Sequence, residues 1–114
     1  MKDDIVYLRH ILDSINSIVK YLEGISFKIY MKDELIQDGV IRRLEIIGEA
    51  SQNTSQDFRE QYSEIPWSQI VSLRNRIVHA YFNINLNTIW SIIQDELPYL
   101  KQNVENILGE NHDT

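Results

Sequence analysis

From its first turns the chain repeats apolar residues every three or four positions, and that period constrains the fold more than any other feature. Ile5, Leu8, Ile11, Leu12, Ile15, Ile18, Val19 and Leu22 share helical spacing, with Lys2, Asp3, Asp4, Asp13, Lys20 and Glu23 mostly opposite them. Gly24 is placed to end this helix. A second helix starts near Asp33 or earlier, turns Ile36, Val40, Leu44 and Ile47 inward, and fades around Gln52-Asn53-Thr54. Ser55 can cap a short segment running through Tyr62. Pro66 suits a first helical turn and launches a further helix with Trp67, Ile70 and Leu73. Asn83-Ile84-Asn85 reads as a turn, and Asn85 or Asn87 can cap a last helix striped by Ile89, Ile93, Leu97, Leu100, Val104 and Ile107. Pro98 should kink or restart that helix. No segment alternates apolar and polar residues long enough to argue for a strand. The expected fold is all-α, an up-and-down bundle of four main helices plus a short one. Residues 1–114 should form a single domain, with 109–114 a flexible tail.

Composition narrows the functional classes. At 114 residues and 43% hydrophobic content the chain can bury a core, yet it is small enough for oligomerisation to aid its stability. It has no cysteine, which removes disulfides and thiolate metal sites and suits a reducing cytoplasm. Apolar runs are far shorter than the ~20 residues of a membrane span, and no charged-then-apolar leader opens the chain, so a soluble, unexported protein is expected. His10 and His112 lack ligand-like company, and no spaced set of His, Asp and Glu suggests a metal. Trp67 and Trp90 read as packing residues, and Gly39 and Gly48 as points of close helix packing rather than a phosphate loop.

One segment carries chemistry. Leu73-Arg74-Asn75-Arg76-Ile77-Val78-His79-Ala80-Tyr81 concentrates guanidinium, amide, imidazole and phenol groups. Metal-free cleavage of an RNA phosphodiester needs a proton shuttle for the 2′-hydroxyl and a fixed cation for the charge gathering on phosphorus. His79 fits the first role, because imidazole titrates near neutrality at about 6.5. Arg74 fits the second, because its planar fork matches two phosphate oxygens. Asn75 could orient either the imidazole or the phosphate, and Arg76 could add charge for the RNA backbone. On a continuous helix Arg74 and His79 would stand roughly 140° apart, so they are not a pair within one chain. Either the helix ends or distorts near Val78, or two copies face each other across a two-fold axis and build one composite site. The second is the preferred reading.

Arg74, His79 and Tyr81 form an R-x4-H-x-Y pattern that resembles the HepT-like toxins, a branch of the HEPN ribonucleases. The resemblance extends through Leu44-Glu45-Ile46-Ile47-Gly48-Glu49-Ala50, Ile65-Pro66-Trp67, Leu73-Arg74-Asn75, His79-Ala80-Tyr81-Phe82, Trp90 and Leu97-Pro98-Tyr99-Leu100, and so covers nearly the whole chain. It implies a HEPN-like bundle and a metal-independent endoribonuclease that dimerises through the motif helices, with Arg74 and His79 catalytic. It also implies a type VII toxin-antitoxin system. There the partner, a minimal nucleotidyltransferase antitoxin encoded alongside, transfers AMP from ATP to the motif tyrosine, here Tyr81. A bulky anionic adduct at that point would block the phosphate path and repel RNA.

Net charge stands against an RNA-acting enzyme, since −6 repels nucleic acid overall. Distribution offsets the sum. Four of the six arginines are Arg42, Arg43, Arg74 and Arg76, which could form one local basic patch if the second helix packs beside the motif helix. The competing reading is a non-catalytic HEPN-type binding module that recruits or regulates a nucleotidyltransferase, with the polar motif serving an interface.

Overall fold

The computed structural model describes the backbone of residues 2–82 and 85–110, and side-chain surroundings within 3–77 and 85–110. The described residues contain helices and no strand. Two rods of equal length, α1 (Lys2–Tyr21) and α3 (Glu34–Asn53), are joined through a short α2 (Phe27–Tyr30). The chain continues through α4 (Gln56–Gln61), α5 (Trp67–Val71) and α6 (Leu73–Phe82). It closes with α7 (Leu86–Ser91), a π-helical turn (Ile92–Glu96) and α8 (Leu97–Glu110). This is the all-α bundle expected from the apolar period, and it is consistent with the HEPN-like fold that the resemblance implies: α1 packs on α3 and α8, and α3 packs on α5 and α6.

The helix boundaries follow local chemistry. Gly24 has φ +73°, a left-handed conformation that ends α1 without a Cβ penalty. Ser26, Asp33, Ser55 and Asn85 each accept a hydrogen bond from a backbone N–H three residues on, capping α2, α3, α4 and α7. The short α2 and its cap were not anticipated. Of the Asn83-Ile84-Asn85 turn, Asn83 and Ile84 lie outside the described residues, and Asn85 is the cap. The core is continuous from Leu8, Ile11, Ile15 and Ile18 through Val40, Leu44 and Ile47 to Ile89, Leu97, Leu100, Val104 and Ile107. Trp67 is buried, its indole N–H donating to the Tyr62 carbonyl, and Trp90 packs edge-on and tilted against Phe27 and Tyr30. Both tryptophans are packing residues, as expected.

Three details differ from the sequence reading and one, at Pro98, sharpens it. Asp4, assigned to the solvent face of α1, is buried: its carboxylate accepts from the backbone N–H and the hydroxyl of Ser55 at 2.7 and 2.9 Å, which ties α1 to the cap of α4. The helix begun at Trp67 breaks at Ser72, so the motif occupies a separate helix starting at Leu73. Pro98, expected to kink or restart the last helix, is the second residue of α8, where the α-helix begins again at Leu97. A π turn precedes it, with the Leu97 N–H bonding back five residues to Ile92, and the widened turn accommodates a ring that would otherwise press on the carbonyl four residues before it. Gly109 and Glu110 continue α8, while 111–114 lie outside the described residues.

Candidate active site

Arg74, Asn75 and Arg76 occupy the first turn of α6, and the backbone helix continues unbroken through His79 and Tyr81. Leu73 and Ile77 form its buried stripe against α3, with 2% and 0% of their surface exposed. That stripe turns Arg74 and Asn75 to solvent. Gly48 of α3 lies at the close approach of the two helices. A Cβ there would meet the Arg74 backbone nitrogen at 3.4 Å and the Ile70 carbonyl oxygen at 3.5 Å. The expectation of close packing at Gly48 is thereby met, and so is that at Gly39, which lies under the ring of Tyr21.

Of the two solutions to the Arg74–His79 separation, a break near Val78 is not what the backbone does. The break falls at Ser72, on the other side of Arg74, and the register of α6 keeps Arg74 and His79 about 140° apart. Side-chain positions of His79 and Tyr81 lie outside the described residues.

Helix α3 packs beside α6, as a shared basic patch requires, and two of the four arginines named for it bond to side chains of the protein itself. Arg43 donates from Nε to the Tyr21 hydroxyl on α1 at 3.3 Å. Arg76 bonds toward the last helix, where Nη1 and Nη2 donate to the two carboxylate oxygens of Glu96 at 3.0 and 2.6 Å, a parallel fork from α6 to the π turn. This hydrogen bonding raises the Arg76 guanidinium above its ordinary pKa against the opposing effect of burial. Arg42 and Arg74 are the exposed members of the four. Sequence reasoning missed Glu96, although Pro98 two residues later signalled an irregular helix there. Among the described residues no three His, Asp or Glu side chains cluster as metal ligands, and no helix is long and apolar enough to cross a membrane.

Sequence comparison gives this arrangement its context. The sequence model of the family described as "Ribonuclease HepT-like" matches residues 11–107, from the middle of α1 almost to the end of α8. The chain belongs to the HepT-like ribonuclease family. Among relatives, it is 40% identical over 108 residues to a protein named "Putative RNase" in Caldanaerobacter subterraneus, covering 95% of this chain and 96% of that one. It is 37% identical over 101 residues to "Probable ribonuclease HepT" of Thermococcus cleftensis, covering 89% and 92% of the two chains. A protein named "Putative RNase" in Methanocaldococcus jannaschii is 38% identical over 104 residues, covering 91% and 95%. No solved structure matches significantly. In this HepT-like chain the matched region contains α6 whole, so the R-x4-H-x-Y pattern lies on an element inside the family's span and not on an appended segment.

Proposed function

We propose that this HepT-like protein is a metal-independent endoribonuclease that works as a homodimer. One 1–114 domain from each copy contributes its α6 to a shared cleft. The observation that carries the reading is the uninterrupted helix through Arg74 and His79. Because one chain turns the two residues to different sides, a two-fold pairing of α6 helices is the simplest way to bring guanidinium and imidazole to one phosphate.

In the proposed reaction the 2′-oxygen attacks the adjacent phosphorus while neutral His79 takes the 2′-hydroxyl proton. Arg74 holds the negative oxygens of the phosphorane, and Asn75 orients the imidazole or the phosphate. The bond from phosphorus to the 5′-oxygen then breaks, and an imidazolium returns a proton to that leaving oxygen. The products are a 2′,3′-cyclic phosphate and a 5′-hydroxyl, with no change of oxidation state. Arg42 and Arg43 are the proposed backbone contacts on a chain whose overall charge is −6, while Arg76, held by Glu96, is left out of that set.

Control follows from Tyr81 on the same helix. Transfer of AMP to its hydroxyl by a minimal nucleotidyltransferase antitoxin, encoded alongside, would set a bulky anion at the cleft and shut off a cytoplasmic toxin of the type VII class. Two experiments test the reading. Purified protein should cut total RNA with or without a chelator, leaving cyclic phosphate ends, and His79→Ala and Arg74→Ala should each lose about 10²-fold or more. Intact mass after incubation with the nucleotidyltransferase and ATP should show adducts that vanish in Tyr81→Phe. Full cleavage by His79→Ala rejects the mechanism, and loss of cleavage with chelator rejects metal independence.

A further inference from the structure

We infer that Glu96 is a positioning residue for the ribonuclease site, acting through Arg76 to fix the roll of α6 about its own axis; this rests on the ribonuclease reading. The motif helix has ten residues, and among those whose side chains are described, 73–77, the buried ones are Leu73 and Ile77, on the side packed against α3. A single stripe resists separation of two helices better than it resists rolling. On the flank toward the last helix, side chains do not fill the space. A cleft of about 250 Å³ lies there, walled in part by Ile70, Leu73, Ile92, Glu96 and Leu97. Glu96, in the wall of that cleft, receives the two-pronged bond from Arg76. Both side chains are half-buried, at 31% and 27% exposure, so the pair is shielded more than a surface ion pair yet still reached by water.

The geometry makes the restraint consequential. Arg76 lies two residues after Arg74 and three before His79, so holding its guanidinium sets the angle at which both proposed catalytic residues leave the helix. A roll of about 10° carries a side-chain tip at ~6 Å from the axis through about 1 Å, and misplacements of that size cost on the order of 10²-fold in rate. The anchor at the other end is fixed as well. Glu96 closes the π turn between buried Ile92 and Ile93 and buried Leu97, where the Leu97 N–H bonds to Ile92. Arg76 is therefore assigned to the protein's own carboxylate and not to a phosphate of the substrate.

The experiment measures RNA cleavage by wild type, Glu96→Ala, Arg76→Ala and the reversed pair Arg76→Glu with Glu96→Arg, with thermal melting beside each. Expected are a fall in kcat of about tenfold or more in both single variants with KM within about twofold, substantial recovery in the reversed pair, and an unchanged dependence of log KM on log salt. If Arg76 instead grips a phosphate, Arg76→Ala weakens the salt slope by about 0.7, raises KM, and the reversed pair is worse than either single variant, which overturns the inference. Glu96→Ala cleaving at the wild-type rate overturns it too. Those outcomes differ from failure of the ribonuclease reading, which would appear as a wild type that cuts nothing, or cuts no faster than His79→Ala, and would take the inference with it.

Discussion

Gly48 lies against the backbone of Arg74: a methyl group added to the glycine would stand 3.4 Å from the Arg74 nitrogen, 3.5 Å from the Ile70 carbonyl and 3.5 Å from the Leu73 Cβ. Helix α3 thus meets the α5–α6 junction at backbone distance, where the proposed catalytic arginine leaves its helix. Those three distances are ordinary van der Waals contacts, and alanine gains about 0.8–1 kcal/mol over glycine in a helix interior. Gly48→Ala should therefore be neutral or slightly stabilising. Gly48→Leu must displace backbone instead of a flexible tip, and should lose about 1–3 kcal/mol while lowering cleavage beyond what the fraction folded explains. Urea unfolding and RNA cleavage on the same samples check this, and a leucine variant as stable and active as wild type would contradict it.

Asp4 and Ser55 should behave as one unit. The carboxylate receives both donors of Ser55, and the Ser55 hydroxyl oxygen also accepts from the Phe58 N–H at the start of α4. Asp4→Ala strands two donors and should cost about 2–3 kcal/mol, since hydrogen bonds to charged groups contribute about 1.5–3. Ser55→Ala removes a helix cap as well as one of these bonds, and should cost about 1–2 kcal/mol. Because they share the interaction, the double variant should lose clearly less than the sum. Strict additivity in chemical denaturation would show that the contact carries no coupling energy.

How far the sequence discloses this molecule depends on how local each feature is. The long stripes of α1, α3 and α8 were legible because periodicity and burial agree, and Ser55 and Asn85 were legible as candidate caps because a cap is a contact within four residues. The resemblance through Arg74, His79 and Tyr81 was legible as residue types in order, which sufficed for the family but left the site's geometry open. Asp4 could not be read correctly, since an acid on an amphipathic helix is assigned to water unless its partner, fifty-one positions away, is known. The break at Ser72 has no glycine or proline to announce it. Glu96 was hidden for a related reason: one extra residue in the π turn shifts the helix register, and only tertiary packing shows the acid meeting Arg76.

Tyr30 gives a pH dependence on the alkaline side. Its side chain is fully buried, the hydroxyl has no hydrogen-bond partner among the described residues, and burial pushes its pKa up to about 12. Raised above the unfolded value of about 10, the folded state holds a proton that the unfolded state releases. The stabilisation is complete below pH ~10 and drains away as pH climbs toward ~12, by about 2–3 kcal/mol in all. Tyr30→Phe keeps the ring contacts with Phe27 and Trp90 and removes an unsatisfied group, so at neutral pH it should be neutral or more stable, by up to about 1 kcal/mol. Stability measured from pH 9 to 12 should decline less steeply in the phenylalanine variant. Identical slopes would place the alkaline loss elsewhere.

Complementation between inactive variants bears most directly on the proposed dimer. Arg74→Ala retains His79, and His79→Ala retains Arg74, so neither alone can supply both groups. If guanidinium and imidazole from different subunits act on one phosphate, as the 140° separation along α6 favours, a mixed dimer regains one cleft with a working pair. Random re-pairing makes half the dimers mixed, so unfolding the two variants together and refolding them should recover up to about a quarter of wild-type cleavage when each dimer has two equivalent arginine–histidine pairings. The two proteins simply combined, without subunit exchange, should stay inactive, which separates complementation from residual activity. Were arginine and histidine of the same chain to act together, every mixed dimer would contain only broken pairs, and refolding would restore nothing.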